Sequence, residues 1–253
     1  VEPDLVSTKD GVLICRHECL LTETTDVAEQ FPERKRSLVI DGRKVSGWFA
    51  QDFTVDEIKM LRTRERLPYR NHKYDGQFQI PTFEEFLTLI SAENQKRERP
   101  IGICPELKNS SHHRVSGLPL EERLLKLLKQ FGYEGADSTC IIQSFEVENL
   151  KRLSKLTDLR LLQLLGGTRS IPADVRRAGG AATFGSMMTK TGLSAVASYA
   201  WGIGPAKDLI LAKDRNNRLL PPTELITDAH AAGLAVVVYT MRNEPRHLAE
   251  DYG

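Results

Sequence analysis

From Gly11 to Tyr239 the chain alternates short apolar runs with longer segments of helical period, and that alternation constrains the fold more than any single residue. The runs are Gly11 to Cys15, Ile101 to Cys104, Cys140 to Gln143, Leu159 to Leu165, Trp201 to Ile203 and Leu234 to Tyr239. Between most of them lie the helical patterns TFEEFLTLISAENQKR, LEERLLKLLKQFG, VENLKRLSKL, TGLSAVASYA and TELITDAHAAG. Strand and helix in alternation is the signature of a parallel sheet covered by helices. Punctuation agrees: Pro81 and Thr82 open one helix, Gly117 to Pro119 precede the next, and Gly132 and Gly233 stand where helix C-termini belong.

A length of 253 residues is that of one (β/α) barrel, read as a single domain over 1–253. The stretch from Glu18 to Gln79 breaks the rhythm with charge runs, few strand signals and one short amphipathic helix at Val55 to Leu61. It is too long for an ordinary βα loop and is read as an insertion, 18–79, on the catalytic face. No segment reaches the roughly 18 consecutive apolar residues of a membrane helix, so no transmembrane segment is expected. Thirty-five basic residues against thirty-four acidic ones leave a net charge of +1, which gives no electrostatic reason to expect nucleic acid as a partner. Any anion specificity must then be local. Cys15, Cys19, Cys104 and Cys140 are too few for a disulfide scaffold and lack zinc-site spacing, so free thiols are expected.

The residues that carry chemistry stand at the ends of strand-like runs. Glu2 and Asp4 in VEPDLVSTKDG are two apart, so in an extended strand they share a face and can bring two carboxylates to one cation. Glu106 and Lys108 in IGICPELK have the same spacing and add a third oxygen ligand and a fixed positive charge for an anionic substrate. Oxygen-only ligation favours Ca²⁺ or Mg²⁺ over zinc. His17 in GVLICRHE follows an apolar run close by, and an unperturbed pKa of about 6.5 suits proton transfer near neutrality. That combination suggests phosphate ester chemistry. His72, His112, His113, His230 and His247 have no such context and read as surface or helix residues.

VEPDLVSTKDGVLICRHE, followed in order by TTDVAEQF, DFTVDEIKML, IPTFEEFL, GICPELK, IQSFE and WGIGP, resembles the glycerophosphodiester phosphodiesterases, in particular their larger bacterial-type branch. The likeness runs from Val1 to about Arg242. It implies a TIM-type (β/α)8 barrel, incomplete in this chain: the family's first strand, ending in His-Arg-Gly, and its last strand are not matched. It also implies hydrolysis of glycerophosphodiesters to glycerol 3-phosphate and an alcohol. Glu2, Asp4 and Glu106 match metal ligands, His17 matches the second catalytic histidine, and Lys108 would contact the phosphoryl oxygens. His17 is expected to protonate the leaving alkoxide, with the reverse assignment open. Gln143, at the end of CIIQ, and Tyr239, in VVVYTMR, are placed among pocket-lining, substrate-binding residues. Exported relatives in this branch lean the expectation toward the periplasm or cell exterior. Two other readings stay open: a phospholipase D type enzyme acting on lysolipid or sphingolipid, and a non-catalytic, ligand-binding barrel fragment.

Overall fold

The computed structural model describes residues 1–242 and 244–252. It forms two compact units, Val1–Ile142 and Gln143–Gly253.

In the first unit, β1 (Asp4–Ser7) turns back through Thr8–Val12 into β2 (Leu13–Cys15), and the two pair antiparallel with Leu5 opposite Cys15. Gly11, at φ +84°, takes the reversal. The run Gly11 to Cys15 is therefore a second strand and does not prolong the first. The segment that follows holds α1 (Val27–Gln30), a hairpin of β3 (Arg36–Ile40) and β4 (Arg43–Gly47), and α2 (Val55–Met60). Its apolar side chains do not merely decorate a surface. Leu21, Val27, Trp48, Phe53, Ile58, Leu61 and Ile80 bury themselves with Val6 of β1 and Ile14 of β2 in one core. The hairpin has the two-residue turn that Asp41 and Gly42 demand, with φ of +51° and +79°.

Two helices begin at capping boxes. Thr54 and Glu57 open α2, and Thr82 and Glu85 open α3 (Phe83–Asn94), each pair satisfying two otherwise orphaned N–H groups. The next strand is β5 (Glu106–Leu107), parallel to β1, followed by α4 (Ser110–Val115) and α5 (Glu121–Gln130). At the apolar run Ile101 to Cys104, pairing with the next segment is a single bridge, Ile103 to Cys140; the named strand starts two residues beyond the run. The unit boundary falls inside β6 (Ile141–Ser144).

In the second unit, α6 (Val147–Leu153) leads to β7 (Arg160–Leu165), then α7 (Ala173–Arg177), α8 (Phe184–Met187), α9 (Lys190–Ala197), β8 (Gly202–Pro205), α10 (Leu225–Ala231) and β9 (Ala235–Val236). Strands β7, β8 and β9 are parallel, with Gln163 opposite Ile203 and Ile203 opposite Val236. The last pairing runs on past β9 through Val237 N–H to the Ile203 carbonyl at 3.0 Å and Tyr239 N–H to the Pro205 carbonyl at 3.1 Å. Leu165, Leu193, Val196, Ile203, Ala229 and Leu234 form its core. Helix α6 lacks a cap of its own: Asp174 of α7 accepts from the N–H groups of Val147 and Glu148 at 2.8 and 2.6 Å.

All four cysteines are free thiols. Among the described residues no helix is long and apolar enough to cross a membrane.

Candidate active site

The parallel register of β1 and β5 sets Asp4 opposite Glu106 and Leu5 opposite Leu107. Register partners on neighbouring strands project to one face, and the two-residue period brings Glu2 and Lys108 to the same face. Pro3, between the two acids, has no N–H to give, yet its carbonyl accepts the Glu106 N–H at 2.9 Å; Lys108 N–H reaches the Leu5 carbonyl at 3.1 Å. An oxygen from each of Glu2, Asp4 and Glu106 lies within 4.8 Å of the others. Lys108 Nζ sits among them, 2.7 Å from Glu106 Oε1 and 3.1 Å from Asp4 Oδ1.

His17 arrives from the other side of the hairpin. Where β2 ends, Arg16 N–H donates to the Asp4 carbonyl at 2.8 Å, which swings the next residue over the acidic face. His17 Nε2 is 3.3 Å from Lys108 Nζ, and its Nδ1 is 2.8 Å from Glu18 Oε1. In the neutral ring, Lys108 donating to Nε2 leaves the ring proton on Nδ1, facing Glu18; the imidazolium carries a proton on Nε2 as well.

Burial and charge shift these groups in opposite senses. Glu106 is 4% exposed, and burial pushes its carboxyl up to about 7 against the pull of Lys108, with Asp4 and Glu2 adding repulsion. Glu2 is raised as well, by burial first and by the Asp4 charge second. For Lys108 burial works downward, but the carboxylates of Glu106 and Asp4 outweigh it and hold the ammonium charged. The hydrogen bond that His17 donates to Glu18 raises the His17 imidazole, and the same bond lowers Glu18. The face therefore gathers three carboxylates, one ammonium and one imidazole with a fixed orientation.

Gln143 and Tyr239 belong to the second unit. Gln143 is buried in β6, and Tyr239 donates its hydroxyl to the Leu165 carbonyl at 2.9 Å while its ring meets Phe145 edge-on at 5.6 Å.

Sequence reasoning passed over a polar network just behind the site. Cys19 Sγ lies 3.2 Å from Asn109 Oδ1 and 3.3 Å from His113 Nε2, and Asn109 Nδ2 donates to Asp41 Oδ2 at 2.7 Å. Cys19 is two residues after His17 and Asn109 is one after Lys108, so the network pins both loops to each other. Asn109 adopts the left-handed conformation at φ +49°, which asparagine tolerates better than most residues; the Lys-Asn step after an apolar strand was the available signal. His112 and His113, expected as surface or helix residues, are in α4 but buried. Burial holds the His113 imidazole down to about 3, helped by neighbouring positive charge.

A family model described as the glycerophosphoryl diester phosphodiesterase family matches residues 1–253. A glycerophosphodiester phosphodiesterase of Arabidopsis thaliana is 35% identical over 262 residues, covering 98% of this chain and 68% of the plant protein. One from Haemophilus influenzae is 28% identical over 265 residues, covering 96% and 71%. By the chemistry in their names, both relatives are phosphoric diester hydrolases. Among solved structures, a Silicibacter pomeroyi protein described as a candidate glycerophosphoryl diester phosphodiesterase aligns with a TM-score of 0.64 at 21% identity, covering 97% of this chain and 73% of its own. That likeness carries the fold class, an α/β barrel of the TIM type. With a match that spans the sequence from end to end, this chain belongs to the glycerophosphoryl diester phosphodiesterase family.

Proposed function

We propose that the chain is a phosphoric diester hydrolase that cleaves glycerophosphodiesters to glycerol 3-phosphate and an alcohol, with a divalent cation held by Glu2, Asp4 and Glu106. The observation that carries this is the single face on which three carboxylates lie within 4.8 Å, with Lys108 Nζ among them and His17 Nε2 3.3 Å from that ammonium. The donor set fits a hard cation: every candidate ligand atom is a carboxylate oxygen, the chemistry of Ca²⁺ and Mg²⁺ sites. A buried carboxyl held up to about 7 by desolvation and two acidic neighbours is one whose ionised form gains from added positive charge. When bound, such a cation neutralises phosphoryl oxygens and orients the nucleophile.

The side chains do the rest. Lys108 presents a fixed charge to a phosphoryl oxygen, a pre-set electrostatic contact that needs no reorganisation as charge develops. Glu18 holds the His17 ring by Nδ1, leaving Nε2 as the atom that exchanges a proton with the reacting oxygens. The raised His17 pKa fits delivery of a proton to the leaving alkoxide. Gln143 and Tyr239 remain proposed substrate contacts.

The test is release of glycerol 3-phosphate from glycerophosphocholine with Ca²⁺ or Mg²⁺ added or chelated, beside Glu106→Ala and His17→Ala. Cation-dependent turnover lost in both variants is the expected result. Turnover indifferent to chelation, or retained by both variants, overturns the assignment. Activity confined to lysophospholipid would move the reading to the phospholipase D type.

A further inference from the structure

The loop from Thr63 to Phe78 pairs its own acids and leaves its aromatic rings exposed. Its neck is closed: Thr63 N–H donates to the Phe78 carbonyl at 2.8 Å and Gly76 N–H to the Thr63 carbonyl at 2.9 Å. Both of its acids are spent on the loop's own backbone and side chains. Glu65 accepts from Leu67 N–H at 2.9 Å, with Arg70 3.7 Å from its other oxygen. Asp75 accepts from Glu65 N–H at 2.8 Å and meets His72 Nδ1 at 2.8 Å. The aromatic side chains are open to solvent: Tyr69, Tyr74 and Phe78 are 46%, 52% and 57% exposed. The Tyr74 and Phe78 rings lie 5.7 Å apart, and Lys73 Nζ stands 4.6 Å from the Tyr74 centroid. Arg66 and Arg70 are partly exposed on the same loop, Arg66 with Glu23 at 4.0 Å.

Exposed large aromatics cost solvation, and the neighbouring Tyr74 and Phe78, with Tyr69 on the same loop, make an apolar surface of the kind that marks an interaction site. Tyrosine and phenylalanine among cations suit the headgroup layer of a bilayer, where rings settle at the interface and basic side chains meet phosphates. Pairing both acids within the loop lessens the repulsion that an anionic surface would otherwise meet. We propose that this loop docks the enzyme on an anionic phospholipid surface, with Tyr69, Tyr74 and Phe78 at the interface and Arg66, Arg70 and Lys73 facing lipid phosphates. It goes beyond the hydrolytic reading, and vesicle binding reads it separately from turnover.

The experiment is co-sedimentation of the intact chain with vesicles of phosphatidylcholine alone or mixed with phosphatidylglycerol, at low and raised salt. Binding to the anionic vesicles only, weakened by salt, is expected. Arg70→Glu with Lys73→Glu should lower that binding by about tenfold or more, and Tyr74→Ser with Phe78→Ser should lower it as well. Both variants should keep wild-type circular dichroism and wild-type turnover of water-soluble glycerophosphocholine. Equal binding to both vesicle types, binding to neither, or wild-type binding by both variants overturns the proposal; capture of the loop by a protein in place of vesicles does so too.

Discussion

Lys108 and Glu106 hold each other in a nearly buried pair, with 12% and 6% of their side chains exposed. Removing one partner of such a pair strands the other's charge, so Lys108→Met should destabilise the cation-free protein by about 3 kcal/mol. A divalent cation should restore much of that loss while kcat/KM stays down by about a hundredfold or more; melting curves with and without Mg²⁺, beside steady-state kinetics, check both halves. His113 makes a different prediction. Its folded pKa of about 3 lies below the ordinary 6.5, so the folded state resists a proton that the unfolded chain accepts. The stability tied to its neutral form is complete above pH 6.5 and is lost as pH falls toward 3, at no more than about 1.4 kcal/mol per pH unit. Urea midpoints measured across that window should flatten in His113→Gln. A slope unchanged by the substitution would assign the acid sensitivity to other groups.

At the scale of elements, the Asn109 side chain is one of the ties between the Lys108 loop and the His17 loop. Asn109→Gly keeps the left-handed backbone at no steric cost and deletes the contacts to Cys19 and Asp41, so it isolates the side chain's part. We expect kcat to fall by about tenfold with KM little changed, the pattern of misplaced groups. Phe53, wholly buried in the core that Glu18 to Gln79 shares with β1 and β2, should cost about 3 to 5 kcal/mol when cut to alanine, read by chemical denaturation. These elements also show what the sequence disclosed. Helix α3 was legible from its period and its Thr82 cap, α5 from its period and Gly132, and α2 showed as a short amphipathic turn. The β3–β4 hairpin was passed over although Asp41-Gly42 between apolar residues is a strong turn signal; surrounding arginines and lysines masked its short alternation. Helices α4, α7 and α8 have at most six residues and carry too little period to stand out. The shared face of Glu2 and Asp4 could be read from spacing. Glu106 is read as joining them from its strand-end place and the family resemblance; spacing alone says nothing of the register between strands a hundred residues apart.

For the molecule as a whole, a cation that binds only the folded chain adds stability by mass action, about 2.7 kcal/mol when its free concentration is a hundred times its Kd. The melting temperature should therefore climb with Ca²⁺ or Mg²⁺ concentration, and the climb should vanish in Glu2→Gln with Glu106→Gln. A chain whose melting ignores both ions would take the cation out of the mechanism. The fold class was legible from alternation, because a parallel sheet covered by helices writes its rhythm along the entire sequence. The pairing of β1 with β5 has a bearing on how this protein can change over generations. Every charged group on the acidic face is counted off in twos from the Asp4 and Glu106 register, so dropping one residue between Glu2 and Asp4, or between Glu106 and Lys108, turns one member of that pair to the opposite side of the sheet. Point substitutions there grade the chemistry down by degrees, whereas a lost codon removes a ligand or the ammonium outright. In a library of single-codon deletions, these two short windows should be the emptiest among active clones.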